Sequence, residues 1–221
     1  MKPYFQTDLV TLYHGDCLEV TEWLKADVLV TDPPYGVAWK GYDNFYTDAR
    51  RTWVQGIASD NSIEVRDKAI ESWGSKPAII FGSWKQPRPV GTRQRLIWHK
   101  KGQAPGLAKG DFLSQDEEIY ILGKGFLQTS PPMRTVIATS ENRAVESGKI
   151  GHPTPKPIGL METLIGRCPD GVIADPFAGS GATLIAARNL GREVVGVEME
   201  EKYCELIANR LSQHAFDFGG I

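Results

Sequence analysis

A short apolar run, Val172 to Ala174, ends in Asp175-Pro176-Phe177-Ala178-Gly179-Ser180-Gly181 and gives way at once to the helix-patterned segment Ala182 to Leu190. A strand that turns through glycines into a helix is the joint of a parallel sheet, so this string constrains the fold more than any other. It carries bare backbone amides and a helix N-terminus to the carboxyl edge of the sheet, where a small cofactor can be held. Taken alone, a Gly-x-Gly turn is equally a structural device of many α/β proteins.

The rest of the chain alternates in the same way, which predicts an α/β domain with a mostly parallel sheet. Val10 to Tyr13, Ala26 to Thr31, Ala78 to Phe81, Leu96 to His99, Glu118 to Leu122 and Glu193 to Val197 read as further strands. Leu18 to Lys25 has room for a short helix. Asn61, with Glu64 three residues on, predicts a capped helix that buries Ile63, Ile70 and Trp73 as far as Gly74. Pro157 suits the first turn of a helix through Met161, Leu164 and Ile165, and Tyr203, Leu206, Ile207 and Leu211 space out as the buried face of a last one. Gly102, Pro105, Gly106 and Gly110 make residues 100 to 110 a loop, and residues 128 to 157 read as a long irregular excursion.

With 221 residues, 41% of them hydrophobic, one sizeable core is expected, hence a single domain over residues 1–221. Its 25 basic and 27 acidic residues exclude a protein that holds nucleic acid by bulk charge. A local patch remains: Lys76, Lys85, Arg88, Arg93, Arg95, Lys100, Lys101 and Lys109 follow one another with no Asp or Glu between Lys76 and Lys109, and Trp84 and Trp98 lie among them. Cations beside aromatic faces suit a nucleic acid; the plainer alternative is a solvated face whose acidic partners lie elsewhere in the fold. Cys17, Cys168 and Cys204 form no metal-spaced pair, which predicts a reduced, cytoplasmic protein without a metal. No leader and no membrane-length apolar run is seen.

The second informative string, Asp32-Pro33-Pro34-Tyr35, comes after the run Ala26 to Thr31 and stands well ahead of the glycine turn. Alone it is a rigid turn after a strand, because consecutive prolines fix φ and carry no amide hydrogen. Together the two strings resemble the S-adenosylmethionine-dependent DNA amino-methyltransferases of the N6-adenine and N4-cytosine kinds, and their order resembles the circularly permuted β class. Ala78-Ile79-Ile80-Phe81-Gly82-Ser83, Trp98-His99-Lys100 and Glu118-Ile119-Tyr120-Ile121-Leu122 are similar to further family segments. The resemblance implies a three-layer, Rossmann-like methyltransferase fold on a seven-stranded sheet, with strands met in the order three, four, five, six, seven, one, two.

It also implies roles. Asp175, Pro176, Phe177, Ala178, Gly179, Ser180 and Gly181 would line the methionine end of S-adenosyl-L-methionine. Glu198, closing the next strand, would accept its ribose hydroxyls, while Asp16 would take the adenine amine with Cys17 beside the ring. His152, Thr154 and Lys156, of the string His152-Pro153-Thr154-Pro155-Lys156-Pro157, would close over the methionine end.

Asp32 and the carbonyl of Pro33 would each accept one hydrogen of the target amino group. Pro34 stiffens that segment, and Tyr35 offers a face to a base flipped out of double-stranded DNA. Arg93, Arg95, Lys100, Lys101 and Lys109 would meet phosphates. Recognition would fall to insertions at about 36–60, where Trp39, Tyr42, Phe45 and Tyr46 cluster, and 100–150.

Asp at the head of the Asp-Pro-Pro-Tyr string favours adenine N6. The alternatives are cytosine N4, an inactive DNA-binding fold, or methylation of RNA or a protein amide. A homodimer is compatible with the sequence, which fixes neither the oligomeric state nor a restriction partner.

Overall fold

Val28–Thr31 and Ala78–Gly82 are buried at every position, as strands covered on both faces must be, and they form the middle of one mixed sheet. The computed structural model describes residues 1–36, 61–101, 115–129, 131–140, 150, 152 and 154–216. Lys109, Trp39, Tyr42, Phe45 and Tyr46, with most of the two expected insertions, lie outside them.

In chain order the described strands are β1 (Phe5–Gln6), β2 (Val10–His14), β3 (Val28–Thr31), β4 (Ala78–Gly82), β5 (Gln94–Lys100), β6 (Asp116–Leu122), β7 (Val136–Thr139), β8 (Ile173–Asp175) and β9 (Val194–Glu198). The helices are α1 (Glu64–Trp73), α2 (Ile158–Ile165), α3 (Ala182–Asn189) and α4 (Glu201–Phe216), with a 3₁₀ turn at Glu22–Lys25. Across the sheet the order is β1-β2-β9-β8-β3-β4-β6-β5-β7. β2, β9, β8, β3 and β4 run parallel, and β6 lies antiparallel between β4 and β5.

This order sets β8, with its glycine turn, directly beside β3, with its Asp-Pro-Pro-Tyr turn, in the register Leu29↔Ala174. Late and early segments of the chain therefore open onto one carboxyl edge, where an open α/β sheet binds its ligands.

Alternating side chains divide the core in two. Val28 and Val30 join Leu160, Leu164, Leu184, Ile185, Cys204 and Ile207 under α2, α3 and α4. Leu29 joins Trp23, Ala69, Trp73 and Tyr120 on the opposite face under α1. The layers are helix, sheet and helix. Trp23 and Trp73 stack with centroids 5.7 Å apart at 11°, a pairing that adds about 1 kcal/mol to the burial of the two rings.

The described strands number nine, two more than the family resemblance implied. Both additions are short edge strands with little pattern to read. β1 pairs with β2, and β7, inside the expected irregular excursion, adds parallel to β5 through Ile97↔Val136. Helix α1 is also packed differently from the expectation. Ser62 Oγ, not Asn61, accepts the Glu64 amide at 3.1 Å, and the buried positions are Arg66, Ala69 and Trp73, with Ile70 only half-buried. Arg66 is drawn inward because its guanidinium donates to Asp67 and to the Pro87 carbonyl.

Candidate active site

The glycine turn is built by close approach. Gly179 and Gly181 have φ of +51° and +80°, values that favour residues without a side chain. A Cβ on Gly181 would stand 2.8 Å from Ile207 of α4, and one on Gly179 would stand 3.2 Å from His152 Nε2. His152 in turn lies 4.7 Å from the Tyr203 ring, and its Nδ1 stands 3.3 Å from the Thr154 amide. His152 is thus seated against the turn.

Asp175 is 2% exposed. It is buried beneath the turn, where Oδ1 accepts from the Thr31 hydroxyl at 2.6 Å and the Phe177 amide at 3.1 Å. It therefore ties β8 to the strand that carries Asp32. Burial pushes its pKa up to about 6, against the opposing bonds from Thr183 and Thr31. Pro176, Ala178, Ser180 and Gly181 are buried too, leaving Phe177 and Gly179 as the half-exposed members of the turn.

Glu198 closes β9 with one oxygen on the Gly179 amide at 2.7 Å and the other on the Glu200 amide at 2.8 Å. It is 8% exposed, and burial lifts its pKa to about 7. Gly15 donates to the Glu198 carbonyl at 2.9 Å, which brings the Asp16 segment alongside. Asp16 Oδ1 accepts from the Leu18 amide at 2.8 Å, shaping the local turn. Cys17 is buried, its thiol pushed up to about 12 by burial; it packs as a small inert hydrophobe.

Beyond β3 the second half of the site is an ionic cluster. Tyr35 Oη lies 2.7 Å from Asp32 Oδ1 and 3.0 Å from Glu117 Oε2, so its one proton serves either carboxylate. Burial, then the two carboxylates, hold this phenol well above its usual pKa, so it remains a neutral donor. The Lys156 ammonium pairs with Asp32 and stands 3.3 Å from Glu117 Oε2. It also lies 5.0 Å from the Phe81 ring centroid and 5.5 Å from that of Tyr35, within cation–π range. Lys100 pairs with the other oxygen of Glu117.

Two cations thus face two carboxylates around one phenol. Lys156, expected to close over the methionine end of the cofactor, pairs with Asp32. Glu117 was not foreseen, since it stands in an acidic run, Asp116-Glu117-Glu118, at the start of a buried strand; only its alternation with the buried positions could have singled it out.

The basic patch divides in the same way. Lys100 is 8% exposed and paired, so it does not reach outward toward phosphates. Arg95 pairs with Glu118 at 2.7 Å. Both acidic partners come from β6, the neighbouring strand, which a reading along the chain could not see. Arg93 is exposed and donates to the Gly123 carbonyl at 2.6 Å, and Lys101 is exposed. Among the described residues no group of three His, Cys, Asp or Glu could hold a metal ion, and no helix is long and apolar enough to cross a membrane.

The fold has known counterparts. The chain is 27% identical to the type II methyltransferase M.ScaI of Streptomyces caespitosus, over 97% of this chain and 85% of that one. It is also 27% identical to the type II methyltransferase M2.DpnII of Streptococcus pneumoniae, over 95% and 92%. Among solved structures it resembles M1.HpyAVI in complex with SAM, with a TM-score of 0.65 at 22% identity over 91% of this chain and 100% of that one. It resembles the cytosine-N4-specific PvuII DNA methyltransferase with a TM-score of 0.63 at 16% identity, over 94% and 88%. Residues 26–210, which run from the strand before Asp32 to the helix behind the glycine turn, match the model of the N6/N4 DNA methylases, and the chain belongs to that DNA methylase family.

Proposed function

We propose that this DNA methyltransferase transfers the methyl group of S-adenosyl-L-methionine to the exocyclic N6 of an adenine flipped out of double-stranded DNA. The observation that carries the reading is the adjacency of β3 and β8, which opens Asp32 and the hydrogen-bonded pair Gly179–Glu198 onto one sheet edge. The active unit is one domain, and the glycine turn after β8, a strand late in the chain and central in the sheet, supports a circularly permuted methyltransferase order.

The residues fit such a cofactor. A side chain on Gly179 would press on His152, so backbone rather than a Cβ faces the space between the turn and the histidine. Glu198 accepts two amides, and a carboxylate has about four acceptor positions, leaving capacity for two ribose hydroxyls. Asp16, Phe177 and Thr154 would complete the cradle. When bound, the cofactor supplies a methyl group already activated on a sulfonium.

The chain's own groups act on the target nitrogen. That nitrogen is a weak nucleophile because its lone pair is spread into the ring. Asp32 would accept one amino hydrogen and the Pro33 carbonyl the other, stabilising charge as it develops. Tyr35, held by Asp32 and Glu117, would present its ring to the base. Lys156 and Glu117 keep Asp32 oriented within a fixed polar setting.

The Asp of Asp-Pro-Pro-Tyr supports adenine over cytosine. Incubating the enzyme with unmodified DNA and labelled cofactor, digesting to nucleosides and identifying the product by mass spectrometry tests this: N6-methyladenine is expected, and N4-methylcytosine would overturn the choice of base.

A further inference from the structure

The loop after β4 carries an exposed aromatic residue that the site described above does not use. Ser83 to Gln86 form a tight turn, in which the Gln86 amide donates to the Ser83 carbonyl at 3.1 Å and Ser83 Oγ stands 3.3 Å from the Lys85 amide. Trp84 and Lys85 occupy the two central positions. The Trp84 indole is 66% exposed, with the Lys85 ammonium 5.9 Å from its ring centroid.

Its placement ties it to the site. β4 runs parallel to β3 in the register Thr31↔Ile80, so the turn leaves the sheet on the edge where Asp32 leaves it. The Gln86 side-chain amide then donates to the Gly36 carbonyl at 2.8 Å, joining the turn to the end of the Asp32–Gly36 segment. Pro87, Pro89 and the hydrogen bonds of Thr92 to Pro89 stiffen the segment between the turn and β5. From Ser83 to Arg95 there is no Asp or Glu, and four residues are basic.

An indole costs free energy when left in water, and a stiff turn holds this one there. Trp98, the other tryptophan of the basic stretch, is by contrast fully buried. We infer that Trp84 and Lys85 form a DNA contact at the mouth of the active site, the indole stacking on a base unstacked beside the target and the ammonium meeting a neighbouring phosphate. This rests on the proposed action on a flipped base, and it assigns to the turn the surface that receives the opened DNA. Stacking is tolerant of sequence, so the contact serves opening of the duplex more than choice of site.

The test is binding of a fluorescently labelled duplex with one central unpaired base, titrated at several salt concentrations. Trp84→Ala should bind between about five- and a hundredfold more weakly, with an unchanged salt slope. Trp84→Phe should recover most of the loss and Trp84→Leu little of it. Lys85→Ala should instead flatten the slope by about 0.9. Because the indole is exposed, Trp84→Ala should melt as the wild type does.

Wild-type affinity in both Trp84→Ala and Trp84→Leu would overturn the inference, even if wild-type enzyme methylates DNA. Conversely, the expected losses in a protein that transfers no methyl group to DNA would leave the contact standing and remove the catalytic reading.

Discussion

The ammonium of Lys156 is paired with the carboxylate of Asp32 across 124 positions of sequence, and Glu117 Oε2 stands 3.3 Å from the same nitrogen. One buried lysine therefore holds together the carboxylate that follows β3 and one from β6. Lys156→Met keeps the apolar stem and removes the charge, leaving Lys100 alone to offset Asp32 and Glu117. Breaking such a buried pair costs about 3 kcal/mol. Unfolding in urea should show a loss of that size, and methyl transfer should fall by about 10²-fold or more. Cofactor affinity, read by isothermal titration, should stay within a few-fold of wild type; a large loss there would return Lys156 to the cofactor side.

In the proposed reaction Asp32 acts on the target nitrogen, and its carboxylate pairs with Tyr35 and Lys156. Asp32→Ala should abolish methyl transfer while leaving the heat of cofactor binding nearly unchanged. Normal turnover by that variant would refute the role given to the carboxylate.

Lys100 and Lys101 are neighbours with opposite fates. Lys101 is exposed, and its replacement by Ala should flatten the salt dependence of DNA binding by about 0.9. Lys100 is buried against Glu117. Lys100→Ala should leave that slope alone and lower stability by about 3 kcal/mol, so the two variants are separated by one salt titration and one urea melt.

Lys100 also shows where reading along the chain stops. The central strands were legible because Val28 to Val30 and Ala78 to Phe81 are apolar throughout, and the glycine turn because its geometry demands glycine. The α/β class was legible in the alternation of strand-like and helix-like segments, and the family resemblance added the methyltransferase fold. What the one-dimensional pattern could not carry was cross-strand pairing. Glu117 and Glu118 stand beside β5 residues through antiparallel register with β6, and that register decides which basic residues are spent internally. The edge strands β1 and β7 escaped for a related reason: each is held by backbone bonds to a neighbour, with few side chains buried to leave a pattern.

Glu198, in its proposed place at the cofactor ribose, should link stability and cofactor affinity to pH in opposite senses. Its pKa rises from 4.5 to about 7 on folding, so between those values the native state holds more protons than the unfolded chain. Stability then falls as pH rises through that window and is level above it. The shift corresponds to about 3 kcal/mol. Asp175, raised from 3.8 to about 6, adds a similar fall at lower pH.

Glu198→Gln cannot titrate, so urea melts of the variant should lose the decline between pH 6 and 7 and keep the Asp175 part below it. Cofactor binding runs the other way. The ionised carboxylate has the acceptor capacity that two ribose hydroxyls need, and protonation removes part of it. Wild-type affinity for S-adenosyl-L-methionine should therefore weaken as pH drops below about 7, whereas Glu198→Gln should bind weakly at every pH with no slope. A wild-type affinity that is level from pH 8 to pH 6 would take Glu198 out of the cofactor site.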